Sequence, residues 1–176
     1  METAVFGGGC FWCTEAIFKR VRGVESVTSG YAGGRMDKPN YLKIVMGDVD
    51  HAEVVKIEFN PKIISYEDLL DIFWHVHDPT TLNRQGYDVG TQYRSVILYN
   101  SEEQKIKAEE SLKKISKSGE FKDPIVTKIE ELDKFYDAES YHKNFYENNP
   151  DKPYCQLVIV PKIQKFLEKY ADRVKN

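Results

Sequence analysis

Cysteine is scarce in this chain. Three cysteines among 176 residues are too few, and odd in number, for the disulfide framework of a small secreted domain. Long apolar runs are absent too: none approaches the roughly 18 residues that a membrane span needs. The N-terminus has no basic stretch followed by an apolar one, so no secretory signal is expected and the expected location is the cytoplasm. No sign of charge dominates. Lys and Arg number 25 against 28 Asp and Glu, a formal net charge of −3, which does not point to nucleic acid or to an anionic membrane as a partner. Low-complexity tracts, internal repeats and linkers are also missing. What remains, 41% hydrophobic and 30% charged residues, is the composition of a globular protein long enough to bury a core. Residues 1–176 are therefore read as a single catalytic domain.

The periodicities alternate along the chain. Thr3 to Phe6 reads as a strand, and Cys13 to Arg22 as a helix with Ile17, Phe18 and Val21 on one face and Gly23 as its stop. Val24 to Tyr31 reads as a strand. The Gly- and Pro-rich loop "YAGGRMDKPNY" follows, with a short strand expected from Tyr41 to Met46. Glu53 to Phe59 alternates as a strand, with Val55, Ile57 and Phe59 sharing a face. Ser65 opens a helix with an S-x-x-D start signal and a stripe at Leu69, Phe73 and Val76. After the polar loop "DPTTLNRQGYDVGTQ", a strand is expected from Tyr93 to Tyr99. Ser101 to Lys117 reads as a charged helix that begins with S-x-x-Q and carries Glu103–Lys107, Glu109–Lys113 and Glu110–Lys114 pairs. A strand from Ile125 to Ile129, a short helix in "AESYHKNFYENN" and a closing helix in "KIQKFLEKY" complete the chain. Strand–helix–strand–strand–helix–strand predicts an α+β protein. Its expected core is a ferredoxin-like α/β plait, a two-layer sandwich on a mixed sheet, with extra helices and an irregular C-terminal extension.

Fold does not dictate chemistry. The chemical signal is "GGGCFWC". Cys10 follows a strand and three glycines and stands where a helix begins. A helix start offers free N–H groups and the positive end of the dipole, which ease ionisation of a thiol. The C-x-x-C spacing to Cys13 leaves a metal pair, a redox pair and a nucleophile all open. Phe11 and Trp12 are either core or the wall of a pocket for an apolar group such as a methyl. Glu53 shares a strand face with Val55, Ile57 and Phe59; if that face is buried, its carboxyl is desolvated and suited to give a proton. If the strand end frays, Glu53 is merely a solvated residue. Tyr41, Tyr93 and Asp88 lie in loops. A tyrosine hydroxyl can stabilise an oxygen gaining charge, although among eleven tyrosines any one is more often packing.

At these residues the chain resembles the peptide methionine sulfoxide reductase A family. The matching stretches are "GCFWC" at 9–13, "SGYAGG" at 29–34, "PNY" ending at Tyr41 and "GDVDHAE" ending at Glu53. They continue with "FWHVHDPTTLNRQGYDVGTQYRS" at 73–95 and "FYDAESYHKNFY" at 135–146. They run in order over nearly the whole chain. The resemblance implies reduction of the S epimer of methionine sulfoxide, free or in oxidised proteins. By motif position it implies Cys10 as nucleophile, Glu53 as acid, Tyr41 and Tyr93 as holders of the sulfoxide oxygen and Asp88 as a supporting polar group. Phe11 and Trp12 become the methyl pocket. It implies no bound cofactor or metal, and thioredoxin or another dithiol as reductant of an intramolecular disulfide. A monomer is expected.

The chain departs from the family twice. Cys13 stands where much of the family has Gly, and Cys155, in "KPYCQLVIV", lies in a tail that is not Gly-rich. Either can resolve an oxidised Cys10, or the two can act in relay, and the position of "PYC" favours participation of Cys155. Lys143 follows His142 where the family often has Gln, which puts a role for His142 in doubt. Two other readings compete. A thioredoxin-like disulfide oxidoreductase shares the C-x-x-C at a helix start, but leaves Glu53, Tyr41 and Tyr93 unexplained. A zinc module pairing Cys10 and Cys13 with His75 and His77 meets poor histidine spacing. His51, His75, His77 and His142 are otherwise taken as structural.

Overall fold

The computed structural model describes residues 1–35 and 38–176; Met36 and Asp37, within the stretch expected from the sequence to be a loop, lie outside the described residues. Strands β1 (Glu2–Gly7), β2 (Val24–Ala32), β3 (Ala52–Phe59), β6 (Val96–Tyr99), β7 (Lys128–Glu131) and β8 (Phe135–Asp137) form one sheet in the order β7-β6-β1-β3-β2-β8. β6 and β7 run parallel and every other neighbouring pair is antiparallel, so the sheet is mixed. A separate two-stranded hairpin joins β4 (Arg84–Gln85) to β5 (Asp88–Val89). The helices are α1 (Phe11–Phe18), α2 (Tyr41–Met46), α3 (Tyr66–His75), α4 (Glu102–Lys117), α5 (Phe145–Asn148) and α6 (Val160–Lys169).

The two faces of β3 enter different clusters. Val55, Ile57 and Phe59 join Phe6, Phe18, Phe73 and Trp74 in the main core, while Ala52 and Val54 join Val5, Ala32, Val96 and Leu98 on the opposite face. Alternation along the strand therefore puts Glu53 on the main-core face. The start signal at Ser65 forms a full capping box, its side chain accepting from the Asp68 N–H at 3.0 Å while Asp68 accepts from the Ser65 N–H at 3.2 Å. Ser101 caps α4 in the same way through the Gln104 N–H at 3.2 Å. Of the charge pairs expected on α4, Glu103–Lys107 closes at 2.8 Å, and Lys107 also reaches Glu67 at 3.3 Å.

Several expectations need correction. Tyr41 to Met46 is helix α2, not a strand. Asn40 caps it by accepting from the Lys43 N–H at 2.8 Å, and Gly47 closes it in the left-handed region at φ 76°. The apolar run "YLKIVM" carries no signal that separates a short buried strand from a helix; the flanking Asn and Gly do. The strand expected from Tyr93 begins only at Val96, because residues 91–93 form a 3-10 turn. α1 starts at Phe11, two residues early, and stops at Phe18, while Val21 instead makes an isolated bridge to Val174. All its residues except Trp12 are buried, because it packs on β2 and β3 and is covered by α5 and α6. No one-sided stripe can describe a helix buried all round. β7 begins at Lys128 rather than Ile125. "AESYHKNFYENN" divides into a 3-10 turn at 140–142 and α5. Among the described residues, no helix is long and apolar enough to cross a membrane.

Candidate active site

The end of β1 delivers the chain to α1 through Gly9, which has φ +93° and no room for a side chain; an added Cβ would lie 2.6 Å from the Gln85 side chain. Only glycine meets both demands at low cost. Gln85 is itself pinned, its amide accepting from the Asp78 N–H and donating to the Asp78 carbonyl, both at 3.0 Å. Cys10 is thus set as the residue that caps α1, and its carbonyl accepts from the Cys13 N–H at 3.1 Å.

Cys10, Phe11, Trp12, Tyr41, Glu53, Asp88 and Tyr93, seven positions named from the sequence, line one cavity of about 180 Å³ together with Tyr154. They come from five segments: the start of α1, the start of α2, β3, β5 and the 3-10 turn before β6. Glu53 is 2% exposed and accepts the Phe11 N–H at 3.1 Å. Burial raises its pKa to about 8, with the Phe11 N–H working in the opposite direction. Glu53 is therefore largely protonated at neutral pH. Burial first, then the negative groups Glu53 and Cys10, push the hydroxyls of Tyr41 and Tyr93 upward, so both remain O–H donors.

The thiol of Cys10 does not follow the simple helix-start expectation. Burial, the neighbouring Cys13 side chain and the charge of Glu53 push the thiol's pKa up, outweighing the Trp12 N–H, which lowers it. Cys13 moves the other way, to about 7, chiefly because its sulfur takes a hydrogen bond from Cys10; Lys162 and Tyr154 help. Cys155, fully buried, is raised by burial and by the charge of Cys13. Cys13 thus acts on the titration of both other thiols, and all three are free.

Sequence reasoning missed Tyr154 and Glu139, and took His142 as structural. The Tyr154 hydroxyl donates to Asp88 Oδ2 at 2.8 Å and lies 3.7 Å from Cys13 Sγ. A phenol has one proton, so it can donate to Asp88 or to a Cys13 thiolate but not to both. Glu139 accepts the Tyr41 N–H and the Tyr31 hydroxyl, each at 3.0 Å. His142 accepts the indole N–H of Trp12 at 3.0 Å. The adjacency of Tyr154 to Cys155 was the one local clue. His75, considered as a zinc partner, is engaged by Tyr170 at 2.9 Å and Glu120 at 2.6 Å, while His77 bonds the Phe73 carbonyl and Ser95.

With this geometry in view, the profile of the family described as "Peptide methionine sulfoxide reductase" matches residues 2–175. The chain belongs to the peptide methionine sulfoxide reductase family. A relative named peptide methionine sulfoxide reductase MsrA, from Saccharolobus solfataricus, is 53% identical over 175 residues, covering 99% of this chain and 98% of that one. Among solved structures, reduced Mxr1 from Saccharomyces cerevisiae superposes with a TM-score of 0.79 at 34% identity, over 88% of each chain. Mxr1 in complex with Trx2 matches with a TM-score of 0.56 at 23% identity, over 82% of this chain and 84% of that one. Family membership makes this protein a methionine sulfoxide reductase.

Proposed function

We propose that the cavity around Cys10 is where this reductase takes the S-sulfoxide of methionine, free or within oxidised proteins. The observation that carries the assignment is the placement of a protonated carboxyl, a buried thiol and two tyrosine hydroxyls on one small cavity with an aromatic wall. Sulfoxide oxygen leaves only after gaining a proton. Glu53 is the donor, and Tyr41 and Tyr93 hold the oxygen as it gains charge. Phe11 and Trp12 face the S-methyl group. A neutral Glu53 removes one of the influences that keep Cys10 protonated, while burial and Cys13 still favour the thiol, so Cys10 gives up its proton as it attacks. In balance, the Cys10 thiol and the sulfoxide give methionine and a Cys10 sulfenic acid, the oxygen passing to Cys10.

The sulfenic acid condenses with a thiol, releasing water and forming a disulfide. Cys13 is the first partner, supported by its place in the first turn of α1, where its N–H donates to the Cys10 carbonyl at 3.1 Å, and by its pKa, which the Cys10 side chain first of all lowers to about 7. Attack by Cys155 on the Cys13 sulfur then returns Cys10 to its thiol. An external dithiol reduces the last disulfide; thioredoxin is the reductant we assign, supported by the complex of the relative Mxr1 with Trx2. The strand order β6-β1-β3-β2, antiparallel throughout, supports a ferredoxin-like plait as the core. We read the protein as a single catalytic domain, monomeric and cytoplasmic, with no bound cofactor.

The deciding experiment is reduction of methionine S-sulfoxide by Cys10→Ser, which is expected to be inactive; retained turnover overturns the nucleophile. Glu53→Gln is expected to keep much of the reduction step, since the amide still holds the oxygen, and Glu53→Ala to lose most of it. Equal activity in all three proteins removes Glu53 from the mechanism.

A further inference from the structure

We propose that His142 is a positioning residue of the reductase, fixing the indole of Trp12 as the wall that orients the substrate's methyl group. The inference rests on the reading of Trp12 as that wall. His142 is 1% exposed and sits in the 3-10 turn at 140–142, 130 residues from Trp12 in sequence. Its ring contacts several aromatics of the site at once: ring centres lie 4.6 Å from Tyr41, 5.2 Å from Phe11 and 5.7 Å from Trp12. Its Nδ1 accepts the Trp12 indole N–H at 3.0 Å. A nitrogen that accepts cannot carry a proton, so the neutral ring bears its proton on Nε2, which is buried and has no partner among the described residues.

An unmatched buried polar group is unfavourable and uncommon. Packing alone would be served by a leucine or phenylalanine with no polar atom to bury. What a histidine supplies here is an acceptor aimed at one N–H, and with it control of the rotation of the Trp12 side chain. Phe145 completes the hold by stacking on the indole at 3.7 Å and 6°, and Tyr154 meets it edge-on at 5.6 Å and 78°. The indole, fixed on its edge and one face, still lines the cavity beside Cys10. Lys143, the neighbour that departs from the family pattern, pairs with Asp137 at 3.0 Å on the surface and does not touch this arrangement.

The test compares His142→Leu, which keeps bulk and loses the acceptor, with His142→Asn, whose side-chain oxygen can stand where Nδ1 does. Proteins labelled with ¹⁵N in tryptophan show two indole N–H signals. The Trp12 signal is expected to move in His142→Leu and to stay near its original position in His142→Asn. Trp74, which donates to Ser111 at 2.8 Å, is expected to be unmoved in both, reporting an intact fold. KM for methionine S-sulfoxide is expected to rise about tenfold in His142→Leu and no more than about threefold in His142→Asn, with kcat within about twofold in each. An unmoved Trp12 signal in His142→Leu, or equal KM in the two variants, overturns the inference. Trp12→Ala separates the two levels. If it leaves KM unchanged, the pocket reading itself falls and the inference with it. If it raises KM while His142→Leu does not, the inference alone falls.

Discussion

Glu53→Gln in a Cys10→Ser background is expected to change stability in a way that depends on pH, and the size follows from burial. The carboxyl ionises near 4.5 when free and near 8 in the folded chain, because burial disfavours its charged form. Between those values the folded protein binds a proton that the unfolded chain has lost. Folding stability attributable to this group is therefore fully present below about pH 4.5 and falls as pH rises through 8. Each tenfold change in proton affinity is worth about 1.4 kcal/mol, so the ionised Glu53 costs the folded state roughly 2–5 kcal/mol at pH 9. Glutamine has the same shape, keeps an oxygen for the Phe11 N–H and cannot ionise. Replacing Cys10 removes the neighbouring thiol that would titrate alongside. Urea unfolding is expected to give nearly equal stabilities for the two proteins at pH 4.5. By pH 9 the glutamine variant is expected to be roughly 2–5 kcal/mol the more stable. A difference that stays flat across this range refutes the claim that Glu53 is buried and protonated. With Cys10 in place, the same titration should appear as a loss of kcat/KM as pH rises through 8, the sign expected of a general acid.

Cys13→Ser and Cys155→Ser are each expected to complete a single turnover, with thioredoxin-driven multiple turnover impaired; mass mapping after one equivalent of substrate should find Cys10–Cys13 joined in Cys155→Ser, and normal cycling of both variants refutes the relay. Tyr154→Phe removes a hydroxyl that favours the Cys13 thiolate, so the rate of disulfide formation after sulfenic acid is expected to shift its pH midpoint upward; an unmoved midpoint separates Tyr154 from Cys13. Asn40→Ala removes the cap of α2 and is expected to cost about 1 kcal/mol in urea melts; because α2 begins at Tyr41, KM should rise as well. Leu70→Ala, a deletion in the main core, is expected to cost about 2–5 kcal/mol, and a loss under 1 kcal/mol would contradict its complete burial.

Local signals were legible where the physics is local. The Ser65 box and the Ser101 cap involve groups three residues apart, and both formed as their sequence pattern implies. The alternation at 53–59 put Glu53 on the main-core face because side chains on a strand can only alternate. Where neighbours far along the chain decide, the reading failed. α1 is wrapped by segments from both ends of the chain, so its buried faces carry no stripe. The Tyr41–Met46 run has no period long enough to choose between strand and helix, and Asn40 with Gly47 decided it.

The site divides in the same way. The amino-acid sequence by itself determined which groups could do the chemistry: a thiol at a helix start, a carboxyl on an apolar strand face, tyrosines in polar loops, and motifs whose order marks the family. Only the tertiary structure decided their state. The acidity of Glu53 depends on how completely packing excludes water from it. The contrast between Cys10 and Cys13 depends on which sulfur donates to the other and on the distant Lys162 and Tyr154. The hold on Trp12 depends on an imidazole and a phenyl ring folded back from the last third of the chain. Interactions of this kind are set by distance and desolvation, which no spacing within a single segment encodes.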